Sequence, residues 1–206
     1  MRHRELKLGE MDRFMSHCDK HFKQGDCLVI HPTDDRTPHI DVLVYEPNEK
    51  YPFWKLVTMG ASSQRMPSSP NTIGNRNEYM MFIDPSENLH DQNVVGWYYK
   101  TLLSVAWYPI ESQCHITCGH SVEWGEEEGS DMVCAFIEMP QIIEEVSFLR
   151  CKLGLLKEIV CLQVVLLTRA ETERLLEIGP EKFSEFLYPE EGTAHYLCEK
   201  KRTERF

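Results

Sequence analysis

The segment over residues 114–120 concentrates side chains that could bind a metal ion. It reads C-H-I-T-C-G-H, and cysteine and histidine are the usual ligands of zinc in proteins. The spacing differs from that of a structural zinc site, because no second cysteine pair follows at the usual distance. In a short β-type run, neighbouring side chains also point to opposite faces. We therefore predict no metal site at Cys114, His115, Cys118 and His120, and we predict no bound metal or cofactor for the chain.

Two other pairs could take part in acid–base or metal chemistry. His39 and Asp41 alternate along a strand-like run, so both side chains lie on the same face. We predict a surface hydrogen bond between them and not a catalytic dyad. His17 and His21 are four residues apart on one face of a predicted helix, with no carboxylate or cysteine partner nearby. We predict that these two histidines lie on the solvated face of that helix.

An enzymatic alternative uses the same residue types. A small hydrolase or metal-dependent enzyme could employ His115 and His120 with a carboxylate such as Glu123 or Asp41. However, the chain contains no P-loop, no G-x-G-x-x-G segment and no G-x-S-x-G nucleophile elbow. No nucleophile and base have convincing spacing either. We favour a non-enzymatic binding domain without catalytic residues, and the enzyme stays open as the alternative.

The first half of the chain predicts a helix and four strands that position these residues. Apolar residues at helical spacing predict a helix over 9–25, closed by its final glycine. Short β-type runs predict strands over 27–31 and 39–45, separated by a turn rich in proline and aspartate. Residues 53–84 predict a strand, a long polar loop and a second strand.

The second half predicts three helices and two further strands. A helix over 91–112 ends near Pro109, because proline clashes with the preceding turn. Strands follow over 132–138 and over the almost continuously apolar run 157–168, which predicts the central strand. Thr168 and Glu171 form a capping-box pattern for a helix up to Gly179, and Pro180 starts a short last helix.

Together these elements predict an α/β (α+β) fold. A mixed, mostly antiparallel sheet is flanked by helices in a single domain over residues 1–206, with its core at about 25–188. The chain has 206 residues, of which 42% are hydrophobic, so it can bury one good core. The sequence gives no indication of the oligomeric state.

Charge and cysteine content narrow the classes of partner. The net charge of −11 argues against nucleic acid, because phosphate contacts need clustered Lys and Arg. No apolar run approaches the roughly 20 residues of a membrane helix, and no apolar segment follows the basic N-terminus, so we predict neither a membrane partner nor a secretory signal. The eight cysteines are then predicted to be reduced thiols, which favours a cytoplasmic location.

Four blocks in order resemble the suppressor of fused domain family. The first two are K-L-V-T-M-G-A-S over 55–62 and N-E-Y-M-M-F-I over 77–83. The third is G-H-S-V over 119–122, followed by Trp124, and the fourth is the strand and helix over 162–176. The chain is similar to the single-domain bacterial members. It departs from the family pattern at Ser62-Ser63, where the family often has Ser-Asp, and in the cysteine-rich approach to Gly119.

The resemblance implies a protein-binding function and no known enzymatic activity. The animal member of the family sequesters zinc-finger transcription factors, and many bacterial members look like immunity proteins that neutralise toxins. We therefore expect a partner protein, with a toxin domain as one candidate. The partner-binding residues implied in this chain are Thr58, Gly60, Ser62, Glu78, His120 and Trp124.

We expect these residues to form one surface, where the strand ending at Gly60 meets the segment of Gly119 and His120. The loop over 63–77 has no strand-forming pattern, so a neighbouring strand edge is expected to accept a segment of the partner. We expect Gly60→Val to weaken partner binding and to leave the fold nearly as stable as before.

Overall fold

The computed structural model describes residues 4–67, 74–189, 195–203 and 205. Within these residues, eight strands form one sheet, and four α-helices pack against it. The strands are β1 Leu28–Ile30, β2 Asp41–Tyr45, β3 Trp54–Met59, β4 Asn77–Ile83, β5 Ser121–Glu123, β6 Cys134–Glu138, β7 Arg150–Lys152 and β8 Glu158–Leu167. The helices are α1 Leu8–Phe22, α2 Gln92–Glu111, α3 Arg169–Ile178 and α4 Pro180–Leu187.

The strand order is β1-β2-β3-β4-β8-β6-β5. Strands β4 and β8 pair in parallel, and every other pairing between these strands is antiparallel. Strand β7 pairs with the first residues of β8, and β6 pairs with its last residues. Strands β7 and β6 therefore follow one another along β8. The predicted α/β (α+β) fold with a mixed, mostly antiparallel sheet flanked by helices is therefore confirmed.

Alternate residues of the strands face two apolar layers. One layer packs Val42, Leu56, Met81 and Leu162 against the apolar face of α2. The opposite face of the sheet packs against α1 at one end and against α3 and α4 at the other. Strands β2, β3 and β4 are buried along their full length, because helices or loops cover both faces.

Helix α1 ends earlier than the sequence predicts. The residue after the helix, Lys23, adopts the left-handed conformation (φ 56°), and Gly25 lies beyond it. The prediction that His17 and His21 lie on a solvated face is wrong. His21 is buried, and the ring of His17 stacks on Phe148 with a centroid distance of 5.5 Å. Phe148 belongs to a 3-10 helix, Val146–Leu149, that the sequence did not predict and that covers this side of α1.

Helix α2 begins and ends as its local sequence dictates. The side chain of Asp91 accepts a hydrogen bond from the backbone N–H of Asn93, which satisfies one free donor of the first turn. Pro109 lies in the last turn, and the helix ends two residues later at Glu111. None of the helices in the described parts of the chain is long and apolar enough to cross a membrane.

The central strand β8 leads directly into α3. Thr168 and Glu171 exchange side-chain and backbone hydrogen bonds, so the predicted capping box is present. Strand β7 was missed by the sequence analysis, because only Cys151 of its three residues is buried and the strand has no apolar run.

Candidate functional site

A buried carboxylate joins β3 and β4. Glu78 is 0% exposed. Its Oε1 accepts hydrogen bonds from the backbone N–H groups of Gly60 (2.9 Å) and Ser62 (3.0 Å) and from the Ser62 hydroxyl (2.6 Å). Its Oε2 accepts a fourth bond, of 2.7 Å, from the hydroxyl of Thr58. Burial raises the pKa of Glu78, and these four bonds oppose that rise.

The hydroxyl of Thr58 connects this carboxylate to the neighbouring strand. It donates to Glu78, and its oxygen accepts a 2.8 Å bond from the backbone N–H of Tyr79. The peptide oxygens of Ser62 and Ser63 accept from the guanidinium of Arg76 at 2.7 and 2.8 Å. The turn after β3, including the 3-10 helix Ala61–Ser63, is therefore fixed by side chains from β4 and its approach.

Gly60 occupies a position where a side chain does not fit. Its φ of 133° is rarely adopted by residues with a Cβ. A Cβ built on Gly60 would lie 2.2 Å from the carbonyl oxygen of His39, far inside van der Waals contact. The expectation that Gly60→Val would leave the fold nearly as stable as before is therefore wrong, because the substitution forces apart β2 and the end of β3.

Four of the expected partner-binding residues are inaccessible in this conformation. Thr58, Gly60, Ser62 and Glu78 are all buried and use their polar groups on one another. They cannot contact a partner directly, and they act by holding the end of β3. His120 and Trp124 are exposed and bracket β5, which lies beyond β4, β8 and β6 in the sheet. The six residues therefore form a buried group of four and an exposed group of two.

Among the described residues, the contacts near the expected surface join neighbouring residues and not the end of β3 with Gly119 or His120. The side-chain amide of Asn77, the first residue of β4, donates a 2.7 Å bond to the carbonyl oxygen of Ile116. His115 Nδ1 lies 2.9 Å from the carbonyl oxygen of Pro67, the last described residue before the gap. Residues 68–73 of the expected loop lie outside the described residues.

Three of the four side chains first considered as zinc ligands have separate partners. The thiol of Cys118 donates to Oε1 of Glu138 over 3.1 Å, and burial together with this carboxylate raises its pKa to about 12. His120 Nδ1 lies 3.0 Å from the carbonyl oxygen of Thr117, whereas His115 faces Pro67. The hydrogen-bond partners of these two imidazoles are backbone carbonyl oxygens and not hydroxyl or thiol groups, so the described residues do not favour the hydrolase alternative.

A groove runs between α2 and β5. It has a volume of about 480 Å³. Trp124 on its rim is 37% exposed. The indole N–H of Trp97 donates a 3.1 Å bond to Glu127, and the guanidinium of Arg36 lies 4.6 Å above the ring of Trp107. The groove is lined by residues of both elements and of the adjoining loops, among them Arg36, Trp97, Trp107, Tyr108, Val122 and Trp124.

The groove is not predicted from the sequence. Trp97 and Trp107 are mostly buried in the core, yet their remaining edges line the groove. A signal was present in the sequence, since three tryptophans lie within residues 97–124. Their arrangement depends on the position of β5 next to α2, which no local pattern gives.

Comparisons with known proteins identify the fold family. A family model described as Suppressor of fused protein (SUFU) matches residues 36–197. A chain of the Sufu–Fu complex matches with a TM-score of 0.67 and 14% identity, covering 95% of this chain and 91% of that chain. A SUFU homologue from Neisseria gonorrhoeae FA 1090 matches with a TM-score of 0.65 and 17% identity, covering 96% and 97%.

Suppressor of Fused from Drosophila matches with a TM-score of 0.68 and 13% identity, covering 95% of this chain and 51% of that protein. No curated protein sequence matches this chain. The solved structures agree with the mixed sheet described above, and the family model spans most of the sequence. This chain therefore belongs to the suppressor of fused family.

Proposed function

We propose that this chain is a non-enzymatic protein-binding domain that captures a partner protein on the open edge of β5. Family membership supports a protein partner, since a chain of similar fold occurs in the Sufu–Fu complex. The narrower form of the proposal is an immunity-type protein that neutralises a toxin domain. The cytoplasm is the proposed location.

The observation that carries the proposal is the open edge of β5 beside a tryptophan-lined groove. Strand β5 ends the sheet, and no described strand pairs with its outer side. Its inner side bonds to β6 through the carbonyl of His120 (2.8 Å) and the N–H of Trp124 (3.0 Å). Bonded positions alternate along an antiparallel pair, so the N–H and C=O of Ser121 and Glu123 point outward. An extended partner segment can bond to these groups.

The groove supplies pockets for the side chains of such a segment. Tryptophan and arginine are frequent anchors at protein interfaces, and Trp97, Trp107, Trp124 and Arg36 lie together here. Trp124 is the most accessible of the three tryptophans, and it follows the open edge directly. Backbone pairing on β5 therefore fixes the partner's position, and the aromatic groove selects its side chains.

Isothermal titration of the purified chain with the product of a neighbouring gene tests the proposal. Trp124→Ala should weaken binding about 30-fold, corresponding to about 2 kcal/mol for a central aromatic anchor. Ser121→Pro removes one outward N–H without breaking the ladder to β6, and it should also weaken binding. Leu156→Ala, at a fully exposed leucine remote from β5, is the matched control. Unchanged affinity in both β5 variants would contradict the proposed edge.

A further inference from the structure

Three side chains at the connection between β1 and β2 direct their ligating atoms toward one another. His31 Nδ1 lies 2.7 Å from Oδ1 of Asp41, and His39 Nε2 lies 2.9 Å from the same oxygen. The three ligating atoms lie within 4.8 Å of one another. Within residues 4–67, 74–189, 195–203 and 205, no other set of three or more His, Cys, Asp or Glu side chains has this geometry. We propose that His31, His39 and Asp41 bind a divalent transition-metal ion, with Zn²⁺ as the best fit.

The strand register brings the three residues together. Ile30 at the end of β1 pairs with Val42, so the next residue along the chain, His31, lies beside Asp41. His39 and Asp41 are two residues apart, and alternation places both side chains on one face of the chain entering β2. The backbone N–H of His39 is held by Oε2 of Glu5 at 2.9 Å. The arrangement is thus set by the sheet before any ion binds.

The burial of Asp41 is the second reason for the assignment. Its side chain is 2% exposed, whereas the side chains of His31 and His39 are 66% and 46% exposed. A buried carboxylate needs compensation by hydrogen bonds or positive charge, and a divalent ion compensates it more strongly than two hydrogen bonds from imidazoles do. The exposed histidines give an ion a route from solvent and leave room for water at its remaining coordination positions.

The donor set indicates the class of ion. Two imidazole nitrogens and one carboxylate oxygen suit Zn²⁺ and other first-row divalent ions better than Ca²⁺ or Mg²⁺, which prefer oxygen. Tetrahedral ligands at about 2.0 Å from zinc lie about 3.3 Å apart, so the two imidazoles must move outward by about half an ångström. Each would bind through the nitrogen that now faces Asp41, with its proton on the other ring nitrogen.

The metal-binding residues are not part of the proposed partner edge. Strand β2 is next to one end of the sheet and β5 forms the other end, although Arg36 of the connection between β1 and β2 reaches the groove. The metal proposal therefore stands or fails independently of partner binding on β5. The competing explanation is that the two imidazoles only satisfy the carboxylate by hydrogen bonding.

Titration of the chelator-treated, fully reduced chain with Zn²⁺ tests the assignment. We expect one ion per chain and a higher thermal transition in excess zinc, because an ion that binds the folded state stabilises it. His31→Ala and His39→Ala should each weaken zinc binding at least about tenfold and abolish the thermal shift. Both histidines are exposed, so circular dichroism should show folded variants. Co²⁺ should give a visible absorption spectrum that is lost in the same variants.

Two controls separate this site from other zinc-binding side chains. His90→Ala removes an exposed histidine elsewhere on the surface, and Cys114→Ser removes a thiol from the cysteine-rich segment. Both variants should keep the bound ion, and the Co²⁺ complex should show no thiolate charge-transfer band. The assignment is overturned if no ion binds. It is also overturned if binding survives in both histidine variants or disappears in Cys114→Ser.

Discussion

The backbone N–H of Gly60 donates a 2.9 Å hydrogen bond to Oε1 of Glu78, across the end of two buried strands. This bond requires the chain to leave β3 with a φ of 133° and to approach the carbonyl oxygen of His39 closely. One glycine therefore serves both a buried carboxylate on β4 and close packing against the start of β2.

Gly60→Ala should destabilise the fold strongly. The added Cβ overlaps a backbone oxygen, which cannot move away as a flexible side chain can. We expect a loss of about 3 kcal/mol or more in the free energy of unfolding, measured in urea. Gly125→Ala is the matched control, because Gly125 also has a positive φ but has nothing within 4 Å of a built Cβ. Its cost should be about 1 kcal/mol, and equal losses in the two variants would contradict the steric argument.

Glu78→Gln should destabilise the protein although the two side chains have the same shape. An amide NH₂ group would face donors that now bond to a carboxylate, and the backbone N–H groups of Gly60 and Ser62 cannot turn away. We expect a loss of about 2–4 kcal/mol in urea unfolding. Glu144→Gln, at an exposed carboxylate, should change stability by less than about 1 kcal/mol. Retained stability in Glu78→Gln would show that the carboxylate charge is not needed.

The sequence predicts the scaffold better than the site for physical reasons. Strands β3, β4 and β8 are buried, and their largely apolar sequences identify them as strands. Strand β7 has only three residues, of which one is buried, so it has no such apolar run. The resemblance singled out Glu78, but nothing local shows that its carboxylate points inward. The sequence alone does not predict the contact between His31 and Asp41, because that contact depends on the pairing of β1 with β2.

Acidification should destabilise the packing of α1. Burial lowers the pKa of both His17 and His21. The neighbouring His17 lowers the pKa of His21 further, whereas Glu145 raises it. A histidine with a lowered folded pKa stabilises the protein fully above its unfolded value of about 6.5, and this contribution is lost as the pH falls toward the folded value. The free energy of unfolding should therefore decrease from about pH 7.5 to about pH 5.5.

The double variant His17→Gln/His21→Gln isolates this effect. It lacks both titrating rings, so its unfolding free energy should vary less steeply with pH over the same interval than that of the unmodified protein. Urea unfolding at several pH values gives both slopes. Parallel slopes would assign the acid sensitivity to other groups.

The eight cysteines should divide into two classes of reactivity. All eight are free thiols, and five of them, Cys18, Cys134, Cys151, Cys161 and Cys198, are buried. Burial raises the pKa of Cys18 and Cys161 well above the usual value, which disfavours the reactive thiolate. A thiol reagent should count eight groups in denaturant without reductant, and rapid labelling of the native protein should reach at most Cys27, Cys114 and Cys118. A count of six or fewer in denaturant would indicate a disulfide bond.

Association with the partner should depend on salt if the partner is basic. The net charge is −11, and Glu126 and Glu128 lie exposed in the loop that follows β5. Complementary fields raise association rates more than they change dissociation, so the association rate should fall about tenfold or more from low to high salt. Glu126→Gln/Glu128→Gln should reduce that dependence. As the control, Glu46→Gln/Glu49→Gln removes two negative charges from the segment after β2, far from β5. It should reduce the salt dependence of the association rate less. Stopped-flow measurements that give equal salt slopes for both double variants would show that charge near β5 does not steer the partner.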